Sequence, residues 1–436
     1  MTGHGVSVRA VTRGRATPRG LLWGLAMEDP AIRQKVRHTT VLVAFCAGAV
    51  LALGHASVSV AQGICVPGLT ALGCPAPPQP PPRAEVPSGG AGEEPGGSAI
   101  RQRDFVGIVS EDAFAGNGDY RATTFPLHRD AGIGTIRQPF IWSDIERRKG
   151  RFNFGYLDGF VADAARHGVA VLPVLFGAPD FRSSKPRRGA LRGAYPPRRP
   201  SDIAPFARAA ARRYGPGGSF WKSNRSVPRQ PIRSWQIWNE TNLPFYWRPA
   251  PSAEEFIRMM SAASRAIKQV DEGAEIVTAG LPQSQSKGAV PLQSYIAAMY
   301  RAGGKPAFDT LAINPYGATS GEVLKRVEAV RKTMNRFGDR KAKLWITELG
   351  WADSGPTSRF TVGPRAQAAR IRSMVGDLWS GRERLGLRGF VYYNWRDAPP
   401  YAGRNDFWGL HTGLLDIDGQ AKPAYEAFRS AVRGLR

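Results

Sequence analysis

Two short apolar runs each end on a carboxylate. Ser234-Trp-Gln-Ile-Trp-Asn-Glu-Thr-Asn242 carries Glu240, and Leu344-Trp-Ile-Thr-Glu-Leu-Gly-Trp351 carries Glu348, 108 positions further on. An apolar run bounded by turn residues reads as a buried strand. An acid at the end of such a strand sits at the rim of a core rather than in free solvent. Two acids brought together this way can do the chemistry of glycosidic bond cleavage, one giving a proton and the other acting as nucleophile or base.

The elements that must position them recur along the chain. Strand-like runs fall near Phe105–Val109, Thr135–Pro139, Ala170–Leu175, Ser234–Trp238, Glu275–Ala279, Thr310–Asn314, Leu344–Thr347 and Gly389–Tyr393. Helical patterns lie between them, among them Leu157–His167, Ile203–Tyr214, Ala253–Val270, Leu292–Arg301, Glu322–Phe337 and Arg365–Ser380, with Pro423–Leu435 after the last strand. Eight alternations of strand and helix predict an α/β protein, a parallel (β/α)8 TIM barrel. An open doubly wound sheet would want a Gly-rich phosphate turn after its first strand, and Gly116-Asn-Gly118 is not that motif. Arg137, Glu240, Asn314, Tyr316, Glu348 and Trp395 all fall at or just beyond strand C-termini, the end at which barrel active sites are built.

From about Phe105 to Arg436 the chain resembles the clan A glycoside hydrolases, of the kind grouped in families 5 and 39 (cellulase-type barrels). The resemblance rests on Trp238-Asn-Glu240 at the fourth strand and Thr347-Glu-Leu-Gly350 at the seventh. Arg137 at the second strand, Tyr316 in Asn-Pro-Tyr-Gly at the sixth and Trp395 in Tyr-Tyr-Asn-Trp at the eighth also match, as does Trp142-Ser-Asp-Ile-Glu146 with Gly150-Arg-Phe-Asn-Phe154. It implies a retaining mechanism with Glu240 as acid/base and Glu348 as nucleophile. Glu240 should be partly desolvated, and Glu348 kept ionised by Arg137 and Tyr316. Asn239 would hold the sugar 2-hydroxyl, and Trp395 would offer a flat face to the ring. The chain departs from family 5 in having Asn314 where His is usual and Phe176-Gly-Ala-Pro179 where the third strand usually ends in His.

Other aromatics are sorted by position. Trp235, Trp238 and Trp345 lie inside strands and are expected to pack. Tyr246 and Trp247, in the loop after Glu240 beside Pro244 and Pro249, are expected to wall the substrate. The segment Phe181–Arg199 follows the third strand and is either a solvated insert or a cationic guide for an anionic polysaccharide. The competing functional reading is a non-catalytic carbohydrate-binding barrel at the cell envelope.

Residues 1–38 are basic, and 39–61 contain the apolar block Val41–Gly54 followed by Ser59-Val-Ala61, the parts of a secretory signal or, if uncleaved, a membrane tether. Residues 62–99 are Pro- and Gly-rich, a linker, leaving 100–436 as the barrel. The expected location is therefore secreted or at the cell envelope. Three cysteines all precede residue 100, with a Cys65–Cys74 bridge open to an exported chain, and His is sparse. Neither a metal nor another cofactor is expected. Of the 60 basic and 35 acidic residues, 52 and 30 fall after residue 100, so +22 of the formal +25 belongs to the barrel. The expected partner is a carbohydrate, acidic or neutral. The scattered Arg residues form no nucleic-acid motif, and a monomer is expected.

Overall fold

The computed structural model describes residues 102–191, 193–400 and 405–435. The segments 1–38, 39–61 and 62–99, and the Cys65–Cys74 pair, lie outside the described residues. No described helix is long and apolar enough to cross a membrane.

The sheet closes on itself. Its staves are β1 Val106–Val109, β2 Thr135–Ile141, β3 Ala170–Phe176, β4 Ser234–Ile237, β5 in two pieces (Glu275–Val277 and Leu281–Pro282), β6 Thr310–Asn314, β7 Lys343–Leu349 and β8 Leu387–Tyr392. All neighbours pair in parallel, in chain order, and β8 returns to β1 through Gly107↔Val391. Between staves run α1 Gly118–Asp130, α2 Gly155–Arg166, α3 Ala204–Tyr214, α4 Ala253–Lys268, α5 Leu292–Arg301, α6 Ser320–Arg336 and α7 Pro364–Leu385, with α8 Pro423–Arg433 closing the ring. This is the expected (β/α)8 barrel. The staves read as apolar runs because they are buried on both faces: all seven residues of β2 are buried.

Seven of the eight strands move at a boundary by a residue or more, and three of these shifts have a plain local cause. The first run yields its leading residue to a helical turn, Gln102–Phe105. The fourth stops at Ile237 because Trp238 takes φ 67. The fifth breaks after Val277, where the chain passes Gly280. Helix α1 escaped the periodicity because Pro126 lies inside it. Its start is secured by Asn117, which accepts from the Tyr120 amide, as Ser252 and Thr319 do for α4 and α6.

Alternation decides which side chains enter the barrel. Leu172, Val277, Ala312 and Trp345 pack together as an inner layer, separate from the sheet–helix core. Arg137 pairs with Leu172 and Gln236 with Val277, so both share that inner face. Asn314 and Thr347 are two residues beyond Ala312 and Trp345, one layer nearer the C-terminal mouth.

Candidate active site

The site is built around Arg137. Its side chain is 1% exposed, and it meets three acceptors: Nε donates to Gln236 Oε1 (2.7 Å), Nη2 to Asn239 Oδ1 (2.8 Å) and Nη1 to Glu348 Oε1 (2.7 Å). A buried guanidinium is tolerable only with such pairing, and losing one charged partner typically costs about 3–5 kcal/mol. Gln236 is itself fixed, its Nε2 donating to Thr278 O at 3.0 Å. The second oxygen of Glu348 accepts from Tyr316 Oη at 3.1 Å.

Glu348 would point away from the barrel if β7 ran regularly, since it follows the inward Thr347. The register between β7 and β8 shifts between Ile346 and Leu349, and this irregularity turns the carboxylate inward. Glu240 is aimed by the backbone as well. Trp238 (φ 67) and Glu240 (φ 44) both occupy the left-handed region that non-glycine residues avoid, and such outliers cluster where function requires them. The turn is held by Leu243 N donating to Glu240 O (2.8 Å) and by Trp238 Nε1 donating to Tyr246 O (2.7 Å).

Asn314 joins the two acids. Its Nδ2 donates to Glu240 Oε1 at 2.9 Å, and the same amide favours the ionised form of Glu348. Thr347 Oγ1 donates to Asn314 Oδ1 at 2.8 Å. Both carboxylates are fully buried. Burial raises the proton affinity of Glu240 well above that of a free carboxyl, and the charge of Glu348 raises it further, against the Asn314 amide and Arg137. Burial also raises Glu348, opposed by Arg137, then by Tyr316 and Asn314. The direct ion pair to Arg137 gives Glu348 the better claim to the negative charge, and Glu240 the higher proton affinity of the two. Desolvation of Glu240 is thus complete rather than partial, and at Glu348 burial outweighs Arg137, Tyr316 and Asn314, so its proton affinity too stays above that of a free carboxyl. Glu240 Oε2 and Asn239 Nδ2 are buried and have no hydrogen-bond partner among the described residues. Buried polar groups are ordinarily paired, so these two atoms are poised for groups of a ligand.

Of the remaining expected residues, three lie elsewhere. Tyr246 and Trp247 do not wall a cleft: they belong to the apolar core, Tyr246 against Phe176 (6.2 Å between ring centres) and Trp247 between Trp238 (6.0 Å) and Phe256 of α4 (5.9 Å). Trp395 is turned into the helix layer, its ring on His128 of α1 (4.3 Å) and Tyr425 of α8 (5.8 Å). The inner position at the end of β8 belongs to Tyr393, two residues beyond Val391 and packed with Val391 and Val109. Alternation along Phe390-Val-Tyr-Tyr393 carries that signal. Trp235, Trp238 and Trp345 pack as expected. Trp351 is also buried, its Nε1 donating to Gly317 O, whereas half-buried Trp408 lies edge-on to Tyr316 at 5.2 Å. Gln236 and Thr347 were missed, though each is a polar residue inside an apolar run.

The segment after β3 is pinned at its root. Arg182 grips Glu146 with Nε and Nη2 (3.0 and 2.7 Å), and Ala194 exchanges backbone bonds with the β4 loop, donating to Phe245 O (2.7 Å) and accepting from Arg248 N (2.9 Å). Lys185, Arg187 and Arg188 remain exposed. No group of three or more His, Cys, Asp or Glu able to hold a metal occurs among the described residues.

No family model matches the chain, and no curated protein matches it. Solved structures do. The barrel is similar to a family 39 glycoside hydrolase from Bacteroides cellulosilyticus WH2 (19% identity, TM-score 0.55), covering 77% of this chain and 65% of that one. A monomeric β-xylosidase from Caulobacter crescentus CB15 aligns with 16% identity and TM-score 0.56 over 77% and 68%. A family 5 glycoside hydrolase from Bifidobacterium longum subsp. infantis aligns with 13% identity and TM-score 0.54 over 76% and 79%. The chain thus spans slightly less than two thirds of the first of these, and it shares its fold with solved members of families 39 and 5, as its motifs imply.

Proposed function

We propose that the chain is a retaining glycoside hydrolase that cleaves an O-glycosidic bond of an oligo- or polysaccharide, with Glu240 as acid/base and Glu348 as nucleophile. One observation carries the reading: two fully buried carboxylates stand at the C-terminal ends of β4 and β7, Glu348 bonded to Arg137 and Tyr316 and Glu240 to Asn314. The charge of Glu348 acts on Glu240 across the barrel mouth, as a retaining pair about 5–5.5 Å apart would require.

In the first step protonated Glu240 gives its proton to the leaving oxygen while Glu348 attacks the anomeric carbon. The C–O bond breaks, the aglycone leaves as an alcohol and a glycosyl ester forms on Glu348. Ionised Glu240 then takes a proton from water, which attacks the same carbon and frees Glu348. Arg137 and Tyr316 hold the charge that Glu348 carries before and after. Asn239 Nδ2 is placed to donate to the sugar 2-hydroxyl, and Tyr393 and Trp408 to flank the ring. The likeness to a β-xylosidase and to an exo-β-1,4-mannosidase from Opitutaceae bacterium strain TAV5 (17% identity, TM-score 0.53, covering 77% of this chain and 62% of that one) supports the reaction class and leaves the sugar open. A non-catalytic barrel would have no use for a proton held on one member of so closely coupled an acid pair. We further propose that residues 39–61 export or tether the enzyme and that its excess of Arg favours an acidic polysaccharide.

The test is a panel of aryl glycosides and polysaccharides with wild type, Glu240→Ala and Glu348→Ala. Both variants fall by about 10³-fold or more on the cleaved substrate, and azide restores the Glu348 variant as a glycosyl azide of inverted configuration. Undiminished turnover in either variant would remove the assignment.

A further inference from the structure

Loops that follow opposite staves of the barrel meet over one patch of its rim. Val109 pairs with Arg137, and Val391 with Gly107 two residues earlier, so both face the barrel interior. Tyr393 takes the next inward position above Val391 and packs with the two valines. Phe245, in the loop after β4, and Phe407, in the loop after β8, are half-buried and both pack against this trio. In a ring of eight staves β4 stands opposite β8, so Phe245 makes that contact only by reaching across the mouth. The reach is held from both flanks. Ala194 N donates to Phe245 O at 2.7 Å, and Gly193 lies so close that a Cβ on it would strike the same carbonyl. On the other flank Asn242 Nδ2 donates to Pro282 O (2.9 Å) and Val290 O (3.0 Å), tying the root of the loop to the β5 segment. Trp408, the neighbour of Phe407, turns the other way, onto the Tyr316 ring whose phenol meets Glu348.

We propose that Phe245 and Phe407 close the cleft one sugar beyond the anomeric carbon, so that the enzyme removes single sugars from the non-reducing end of a chain and does not cut within it. The proposal rests on the reading of Glu240 and Glu348 as acid/base and nucleophile, and adds to it the direction and depth of the cleft. Glu240 meets Asn314 of β6 at 2.9 Å, so the leaving oxygen and the rest of the chain lie on the β4–β6 side. The sugar under attack then extends toward β8 and β1, where the trio stands. Val109 is one stave from Arg137, which meets Glu348 at 2.7 Å, and neighbouring staves lie about 4.8 Å apart. Between nucleophile and wall there is breadth for a single pyranose. Another sugar on its far hydroxyl would have to displace two packed aromatic rings, one of them on a loop fastened to both of its neighbours.

The experiment follows the first products formed by the full chain from β-1,4-linked xylohexaose, mannohexaose and cellohexaose, each labelled at its reducing end, beside the matching 4-nitrophenyl glycosides. On the hexaose that is cleaved, wild type releases the free monosaccharide and the labelled pentaose first. A 4-O-methyl cap on the non-reducing end slows that cleavage about tenfold or more, because the wall has no room for it. In Phe245→Ala the cap no longer slows cleavage, and labelled trioses and tetraoses join the first products. Phe407→Ala does the same, and serves alone should Phe245→Ala not fold. Internal cleavage by wild type, or equal rates on capped and uncapped hexaose, overturns the wall while leaving the acid pair in place. A product pattern and cap effect unchanged in both folded variants overturn the assignment of the wall to these two rings. If no hexaose or glycoside is cleaved, the reading of the acid pair falls and the wall with it.

Discussion

Residue by residue, the site separates two acids of the same type through unequal company. Glu348 has a guanidinium at 2.7 Å and a phenol at 3.1 Å, and Glu240 has an amide at 2.9 Å and one oxygen with no partner among the described residues. A carboxyl raised in the folded state binds its proton there at pH values where the unfolded chain has lost it. Its contribution to stability is therefore full below the unfolded value near 4.3 and falls as pH climbs toward the folded one. Glu240→Gln removes that loss. Its thermal midpoint exceeds that of wild type by about 2 °C at pH 7 and converges on it near pH 4, as calorimetry at the two pH values would read. A variant no more stable at pH 7 than at pH 4, relative to wild type, would mean that Glu240 is not held protonated. The acids themselves were legible because a carboxylate closing an apolar strand is conspicuous. Their inequality was not: it depends on which side chains from β2 and β6 arrive beside which acid, and no run of sequence spells that out.

At the scale of elements, loops on the catalytic face are fastened by ions buried under them. Arg182 binds Glu146 across the ends of β2 and β3, and Lys422 at the start of α8 binds both Asp353 (2.9 Å) and Asp397 (2.6 Å), which follow β7 and β8. Glu146 also accepts from Trp142 Nε1 at 2.6 Å and Gly150 N at 2.7 Å, so removing the cation leaves a carboxylate with neutral donors only. Arg182→Met should cost about 3–5 kcal/mol in denaturant unfolding, with KM on a cleaved substrate altered less than stability. A cost below about 1 kcal/mol would class the pair with ordinary surface bridges. The strand and helix order could be read from periodicity, but three aromatic positions could not. Tyr246 and Trp247 follow Glu240 on the catalytic side, yet the left-handed backbone at Trp238 and Glu240 turns the following loop back over the core. Trp395 has the spacing of an inward residue, but β8 ends at Tyr392, and beyond it the ring settles on α1 and α8. Alternation holds only as far as the ladder does.

For the whole molecule, fold class was the most legible property, because eight repeats of one pattern reinforce each other where any single strand would be ambiguous. Charge is the property that bears on partners. The exposed Lys185, Arg187 and Arg188 stand on a segment whose root is pinned at the catalytic face, so they can steer an anionic chain without being structural. Replacing Arg187 and Arg188 by Ser should raise KM for an acidic polysaccharide about threefold at low salt and leave a neutral aryl glycoside unaffected. Equal KM values, or equal changes on both substrates, would assign these arginines to solvent alone. All of this depends on Glu348 attacking an anomeric carbon while Glu240 supplies the proton. Its most direct test is to incubate the protein with 2-deoxy-2-fluoro glycosides bearing activated leaving groups and weigh the intact chain. The account predicts one added glycosyl unit, mapped to the peptide containing Glu348 and absent in Glu348→Ala; a label on another side chain, or labelling that persists in that variant, would contradict it.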